Sequence, residues 1–294
     1  MQENDVAYLN PNRMKKQIQT LLDRQGLREP TRRGPANSMG LAQMFVLCWI
    51  KQLEQYPTWK GFWQSPICRS FFRQFKWASL SYSRLMGRLA QIRPLLLKFV
   101  QALGGKWAGF GAVDSTLVPL GKLWLARGKS AYKALKKAGN MFGHGSCGPM
   151  FGAKLHVLSN ALGQIVAFAI TPGSHHDLAW IKMGSFDAYA GVVLGDSGYR
   201  SAKLCKKLQS SSVALWARPT LVDIQQFNRI QKGIYRARES VEGVFSLLKQ
   251  RFNLVPGRSP RTWAMAQVHI LSSLLAYAMH PNKPNIQWQA QWLE

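Results

Sequence analysis

Apolar positions recur at helical spacing through the first hundred residues of the chain. The stretches "NRMKKQIQTLLDRQG" and "GLAQMFVLCWIKQLEQY" both follow this period. Two further helices are expected to begin at the caps Ser65 and Ser81, and we expect Pro94 to interrupt the second of them. The pattern predicts an all-helical N-terminal region that covers residues 1–103.

A different pattern begins after "LGGK" at 103–106. Short apolar runs between turn residues predict five strands: "GFGAVDSTLVPL", "FGAKLHVLSN", "QIVAFAITPG", "GVVLGD" and "SVALWAR". The segment "SNALGQ" predicts a hairpin between the second and third strands, and helices are expected at about 177–190 and 201–209. Strands with interposed helices predict an α/β domain over residues 107–280, followed by a C-terminal tail at 281–294.

Two N-terminal helices, "ICRSFFRQF" and "YSRLMGRLAQI", are joined by the short segment "KWASL". Such a pair could form a helix-turn-helix motif whose second helix presents Arg84 and Arg88 to DNA. Any helical bundle contains similar pairs. We therefore favour a helical bundle, for DNA binding or assembly, and keep DNA binding by the helix pair as a secondary role.

Composition adds a strong charge signal to this picture. The chain has 39 Lys and Arg against 13 Asp and Glu, a formal net charge of +26. Positive charge spread over a folded chain indicates a polyanionic partner, most often nucleic acid, although a basic protein of the ribosomal type would share this composition. The scattered cysteines, the lack of a signal peptide and the short apolar runs predict a cytoplasmic protein that contacts no membrane.

Acidic residues are scarce, so the candidates for acid chemistry are few. Asp114 lies in the first predicted strand, in "GAVDST", and Asp196 ends the fourth, in "VVLGDSGY". Strand ends of α/β sheets are where ligand sites gather, and a carboxylate there is costly unless something neutralises it. Taken singly, each aspartate could equally serve in an ion pair or a helix cap.

A third carboxylate belongs to the helix predicted for "IYRARESVEGVFSLLKQRF", residues 234–252. Tyr235, Arg238, Glu242 and Lys249 form one polar stripe beside an apolar one. A surface Arg238–Glu242 pair would explain the helix alone. Three carboxylates that converge from two strands and a helix would instead suit two Mg²⁺ or Mn²⁺ ions and phosphodiester chemistry.

The motifs "DST" and "GDSGY", followed by the Tyr-x2-Arg-x3-Glu-x6-Lys spacing, resemble the DDE transposases of bacterial insertion sequences over about residues 109–255. The resemblance implies an RNase H-like mixed sheet flanked by helices. It also implies that Asp114, Asp196 and Glu242 form the metal-binding catalytic triad, while Tyr235, Arg238 and Lys249 handle the transposon end. Ser197 departs from the family pattern, which often has Lys at this place, and this puts one DNA contact in doubt.

The segment between the first two predicted strands is basic and carries interleaved aromatic residues. Lys122, Arg127 and Lys129 lie near Trp124 in this segment, a composition that suits phosphate contact and base stacking. A solvated loop and helix would look the same. The motif "GSHHDL" after the third strand contains Asp177, to which we assign no catalytic role.

These observations predict a transposase that cleaves the ends of a mobile element and joins the 3′-hydroxyls to target DNA with two metal ions. The expected partners are the terminal inverted repeats and the target DNA, and a homodimer is expected because two ends must be paired. Two alternatives stay open: an RNase H-like nuclease without strand transfer, and an inactive DNA-binding protein derived from a transposase.

Overall fold

The computed structural model describes residues 10–28, 39–75, 81–128, 132–145, 148–182, 186–217, 233–234 and 237–284. Their contacts divide the chain into a helical unit, residues 1–103 with 248–279, and an α/β unit, residues 104–247 with 280–294. Within the described ranges, no helix is long and apolar enough to cross a membrane.

The helices are α1 (Pro11–Arg24), α2 (Leu41–Leu53), α3 (Trp59–Gln64), α4 (Pro66–Gln74), α5 (Tyr82–Ala102), α6 (Leu123–Ala126), α7 (Lys133–Lys136), α8 (Asp177–Trp180), α9 (Ala202–Gln209), α10 (Glu239–Gln250) and α11 (Trp263–Met279). The strands are β1 (Phe110–Gly121), β2 (Phe142–Gly145), β3 (Gly148–Asn160), β4 (Ile165–Pro172), β5 (Gly191–Gly195) and β6 (Val213–Ala217).

The helical unit is built around α2 and α11, two helices that are apolar on nearly all sides. Helix α2 is buried along most of its length, and helices α1, α5 and α11 pack against it. The expected caps are present, since the side chains of Ser65 and Ser81 accept hydrogen bonds from the backbone N–H groups of Cys68 and Arg84.

The expectation that Pro94 interrupts its helix is wrong, because α5 runs through this residue to Ala102. Proline removes one backbone hydrogen bond from a helix interior and usually kinks or breaks it. Here the buried positions continue on both sides, from Leu89 and Ile92 to Leu96 and Phe99. Burial of this apolar face therefore outweighs the local penalty.

The α/β unit contains one six-stranded mixed sheet. Strand β1 lies at its centre, antiparallel to β3 on one side and parallel to β5 on the other, and β6 extends the sheet parallel to β5. The opposite edge is shared, since β2 pairs with the first part of β3 and β4 pairs with the second part. The prediction of a mixed α/β sheet flanked by helices and preceded by a helical region is confirmed.

Two details of this unit differ from the sequence prediction. Strand β2 was not expected, and the helix expected at about 177–190 is described only over 177–182, as α8 followed by two π-helical residues, with a turn at 186–188. Trp180 and Phe186 bury their rings against each other, with ring centroids 4.9 Å apart. Both rings belong to the core that contains Val113 and Leu158 of the sheet.

The helix "WAMAQVHILSSLLAYAM" is grouped with the helical unit, whereas the sequence assigned residues 107–280 to one α/β domain. It forms α11, which packs against α2 and α5. The apolar pattern of a helix predicts that the helix is buried, but it does not indicate which element the helix packs against.

Candidate active site

The parallel register of β1 and β5 brings two aspartates to the same level of the sheet. Ala112 pairs with Leu194, and the ladder between the two strands ends at this pair. Asp114 and Asp196 each follow two residues later, so both carboxylates lie just beyond the end of the β1–β5 ladder. Asp196 directly follows β5, whereas Asp114 lies inside β1 and pairs with Val157 of β3. This is the arrangement in which α/β sheets collect ligand groups.

Backbone amides hold both aspartates in place. The Ser115 N–H donates to Asp114 Oδ1 over 2.7 Å, and the Gly198 N–H donates to Asp196 Oδ1 over 2.9 Å. The second bond caps the short 3₁₀ turn Ser197–Tyr199 that follows β5. Each carboxylate therefore keeps its second oxygen, Oδ2, available for other partners.

Burial makes the charged form of Asp114 costly. It raises the pKa of this carboxyl to about 6, and the negative charges of Asp196 and Asp177 act in the same direction. The Ser115 amide and the Arg238 guanidinium lower the pKa but offset only part of this rise. The site therefore holds more negative charge than its surroundings neutralise.

Glu242 is linked to this pair through Arg238. Arg238 Nη2 donates to Glu242 Oε1 over 2.6 Å, and Arg238 Nη1 lies 3.7 Å from Asp114 Oδ2. The Arg238 side chain is 13% exposed and that of Glu242 is 54% exposed. The guanidinium thus bridges a half-buried carboxylate on the sheet and an exposed one in the first turn of α10. We refer to Asp114, Asp196, Glu242 and Arg238 as the candidate active site.

A carboxylate without an assigned role in the sequence prediction, Asp177, lies beside this site. Its Oδ1 accepts hydrogen bonds from Ser115 Oγ and, over 3.1 Å, from Lys154 Nζ. A residue count could have drawn attention to it, because Asp177 and Asp187 are the only acidic residues between Asp114 and Asp196.

Two buried groups on the sheet side of the site stay neutral. Burial lowers the pKa of His156 to about 4, although Asp177 Oδ1 lies 4.0 Å from its Nδ1, and its Nε2 lies 3.0 Å from Thr171 Oγ1. Burial and then Asp177, Asp114 and Asp196 raise the pKa of Tyr199. The Tyr199 hydroxyl makes no hydrogen bond of standard geometry among the described residues.

The donor chemistry of the site suits a hard divalent cation. Its acidic groups are carboxylates, the ligands that Mg²⁺ and Mn²⁺ prefer, and a cation would offset the cost of ionising Asp114. In the described part of the chain, no three His, Cys, Asp or Glu side chains are close enough together to hold a metal ion. Glu242 is instead paired with Arg238.

The other residues predicted to bind DNA lie in several places. Lys249, Lys122, Arg127 and Arg84 are exposed, whereas Arg88 is half-buried and burial lowers its pKa. Tyr235 and Lys129 lie outside the described residues.

The aromatic residues of the basic segment after β1 divide into two kinds. Trp124 is 68% exposed, and Lys122 Nζ lies 5.9 Å from the centre of its ring. Tyr132 instead stacks on Phe151, with ring centroids 5.1 Å apart. Only part of the predicted aromatic surface therefore faces solvent.

The mixed sheet, with Asp114 inside β1 and Asp196 directly after the parallel strand β5, defines an α/β protein that carries an acidic site on its sheet. The family model of the transposase DDE domain matches residues 104–259, just over half of the chain. The chain therefore belongs to the DDE transposase family.

Comparison with solved structures adds one match. The chain is similar to a chain in the cryo-EM structure of the piggyBac transposase synaptic complex with hairpin DNA, at 10% identity and a TM-score of 0.45. The match covers 90% of this chain and 72% of the other. No curated protein sequence matches the chain.

Proposed function

We propose that this chain is a metal-dependent DNA transposase that cleaves the ends of a mobile element and joins the freed 3′-hydroxyls to target DNA. The observation that carries the proposal is the alignment of Asp114 and Asp196 just past the end of the ladder between β1 and β5, with Glu242 attached to Asp114 through Arg238. Three further observations support this chemistry. The chain belongs to a family with this domain, it is very basic, and its few carboxylates cluster.

Asp114, Asp196 and Glu242 are the residues that would hold Mg²⁺ or Mn²⁺. Two such ions, when bound, activate a water or a 3′-hydroxyl and stabilise the leaving oxygen of a phosphodiester. The amides of Ser115 and Gly198 each hold one oxygen of these aspartates. Arg238 is paired with Glu242 and lies near Asp114, and Glu242 would have to leave this ion pair to serve as a ligand.

The charge distribution supports DNA as the partner. Residues 115–176 contain no Asp or Glu, and they carry the basic residues Lys122, Arg127, Lys129, Lys133, Lys136, Lys137 and Lys154. Phosphate neutralisation by such residues supplies most of non-specific DNA affinity. Tyr235, Arg238 and Lys249 are proposed to contact the transposon end, and Arg84 and Arg88 to provide a secondary contact. The active form proposed is a homodimer on two element ends, in the bacterial cytoplasm.

The decisive experiment compares wild type with Glu242→Gln on DNA that carries the gene's own flanks, in Mg²⁺ or Mn²⁺. The variant keeps the shape of the side chain and removes its charge. We expect cuts at the element ends by wild type and a loss of more than about 100-fold in the variant, since even residues that only support a metal ligand cost 10–100-fold. Glu239→Gln is the matched control, because Glu239 is an exposed carboxylate in the same helix.

Each other outcome selects a different interpretation. Cutting without joined products would favour an RNase H-like nuclease. Binding to the ends without cutting under any metal condition would favour an inactive derivative. Equal cutting by wild type and Glu242→Gln would show that Glu242 is not the third carboxylate.

A further inference from the structure

We infer that Asp177 is a positioning residue that sets the orientation of both Asp114 and Asp196. This inference rests on the proposed function, because it concerns how the metal-binding aspartates are held. Neither the family match nor the sequence motifs assign this residue a role.

The link to Asp114 passes through Ser115. Asp177 Oδ1 accepts a hydrogen bond from Ser115 Oγ over 2.5 Å, and the backbone N–H of the same serine donates to Asp114 Oδ1. Ser115 therefore connects the two carboxylates, because its side chain is bound to Asp177 and its amide to Asp114. A shift of Asp177 would move the amide that orients Asp114.

The link to Asp196 passes through Gly198. The Gly198 amide donates to Asp196 Oδ1, and a methyl group added to this glycine would lie 3.4 Å from Asp177 Oδ2. Asp177 therefore packs directly against the turn whose amide orients Asp196. Asp177 therefore lies beside both segments that hold the aspartates, since its Oδ1 accepts from the Ser115 hydroxyl and its Oδ2 faces the Gly198 turn.

Asp177 is itself held firmly. Lys154 Nζ donates to its Oδ1, and the residue begins helix α8, whose Trp180 is buried against His156 with ring centroids 5.7 Å apart. Ser115 pairs with His156 across the β1–β3 ladder, and Lys154 lies two residues before His156 on the same face. The sheet therefore fixes both partners of the carboxylate.

The same contacts argue against Asp177 as a metal ligand. Its Oδ1 already accepts from a hydroxyl and an ammonium group, and the positive charge of Lys154 would oppose a cation at this oxygen. Asp177 therefore acts through Ser115 and Gly198.

The test measures Mn²⁺ binding by the full chain without DNA, from the EPR signal of free Mn²⁺, for Asp177→Ala, Ser115→Ala and the double variant. We expect each single variant to raise the Mn²⁺ dissociation constant about tenfold, as loss of a supporting hydrogen bond to a metal ligand does. The double variant should bind Mn²⁺ no more weakly than Asp177→Ala alone, because Ser115→Ala breaks a connection that Asp177→Ala already removes. Ser115→Ala alters no charge, so its effect reports geometry alone.

Asp187→Asn is the control for bulk charge, since Asp187 is an exposed carboxylate of the same unit, and it should leave the constant unchanged. Far-UV circular dichroism should be the same for all variants. Wild-type affinity in both single variants, or a double variant about 100-fold weaker, would overturn the inference, as would the loss of one bound ion in Asp177→Ala alone. If wild type neither binds Mn²⁺ nor cuts with any metal, the proposed function fails, and the inference falls with it.

Discussion

The metal-free protein should become more stable when Asp114 is replaced by Asn. The carboxyl is largely buried, and its negative charge is only partly offset by Arg238. Asn keeps an oxygen that accepts the Ser115 amide, so the change removes the charge and retains the local hydrogen bond. A site selected for stability would carry the amide at this position, whereas a site selected to bind a cation needs the charge.

The magnitude follows from the pKa of Asp114, which rises from 3.8 to about 6 on folding. At about 1.4 kcal/mol per pKa unit, the ionised side chain costs the fold roughly 3 kcal/mol. This net value already includes the favourable contact with Arg238, so the variant should gain up to about 3 kcal/mol. Because the folded pKa is the higher one, the folded protein binds more protons between pH 3.8 and about 6. The free energy of unfolding of wild type therefore falls across this window as the pH rises.

Urea unfolding in EDTA, followed by circular dichroism at pH 3.5, 5 and 7.5, measures this difference. Asp114→Asn should match wild type at the lowest pH and exceed it at the highest, while the control Asp187→Asn should follow wild type throughout. Added Mn²⁺ should stabilise wild type and not Asp114→Asn. An Asn variant that is equally or less stable in EDTA at pH 7.5 would refute the assigned cost of the charge.

Two further predictions concern stability alone. Lys51 is fully buried, and burial lowers its pKa from 10.5 to about 7, so its contribution to the unfolding free energy should rise by up to roughly 5 kcal/mol between these pH values. The rise is measured below pH 9.0, because above it the raised pKa values of the Cys48 and Cys68 thiols act in the opposite direction. Lys51→Met should abolish that rise in urea titrations, and an unchanged pH slope would contradict this expectation. Gly163→Ala should destabilise the protein by more than about 2 kcal/mol in the same assay, because φ is +67° and an added Cβ would overlap the Pro284 carbonyl. Gly26→Ala, at φ +61° in open space, is the control and should cost only about 1 kcal/mol.

Sequence patterns predicted those elements whose signal is local. The alternation and turn residues around β1, β3, β4, β5 and β6 lie within each segment, and the caps Ser65 and Ser81 act over three residues. Strand β2 was not predicted, because its four residues, "FGHG", contain two glycines and no apolar alternation. The sequence prediction ended helix α5 at Pro94, because proline usually interrupts a helix. In the fold, the helix continues because its buried face extends on both sides of this residue.

The candidate active site was accessible to sequence reasoning to a different degree for each carboxylate. Asp114 and Asp196 lie at recognisable strand positions, and their register follows once the strands are parallel neighbours. Asp177 follows "GSHH" in a segment with no periodic signal, and its partner Ser115 is 62 residues away in the chain. Only the folded sheet brings the two together. A contact over such a separation leaves no trace in the local pattern.

The scarcity of acidic residues gives this site its physical character. Between Glu54 and Asp187 the chain carries only Asp114 and Asp177, and both lie beside Asp196 in the fold. In a chain of net charge +26, carboxylates spread over the surface would each find a basic partner, yet these remain together where burial raises the cost of ionising Asp114. Arg238 offsets part of that cost, because its guanidinium contacts both Asp114 and Glu242. A site that retains excess negative charge within a basic protein can attract a divalent cation while the surrounding surface attracts DNA phosphates, and the two attractions need not compete.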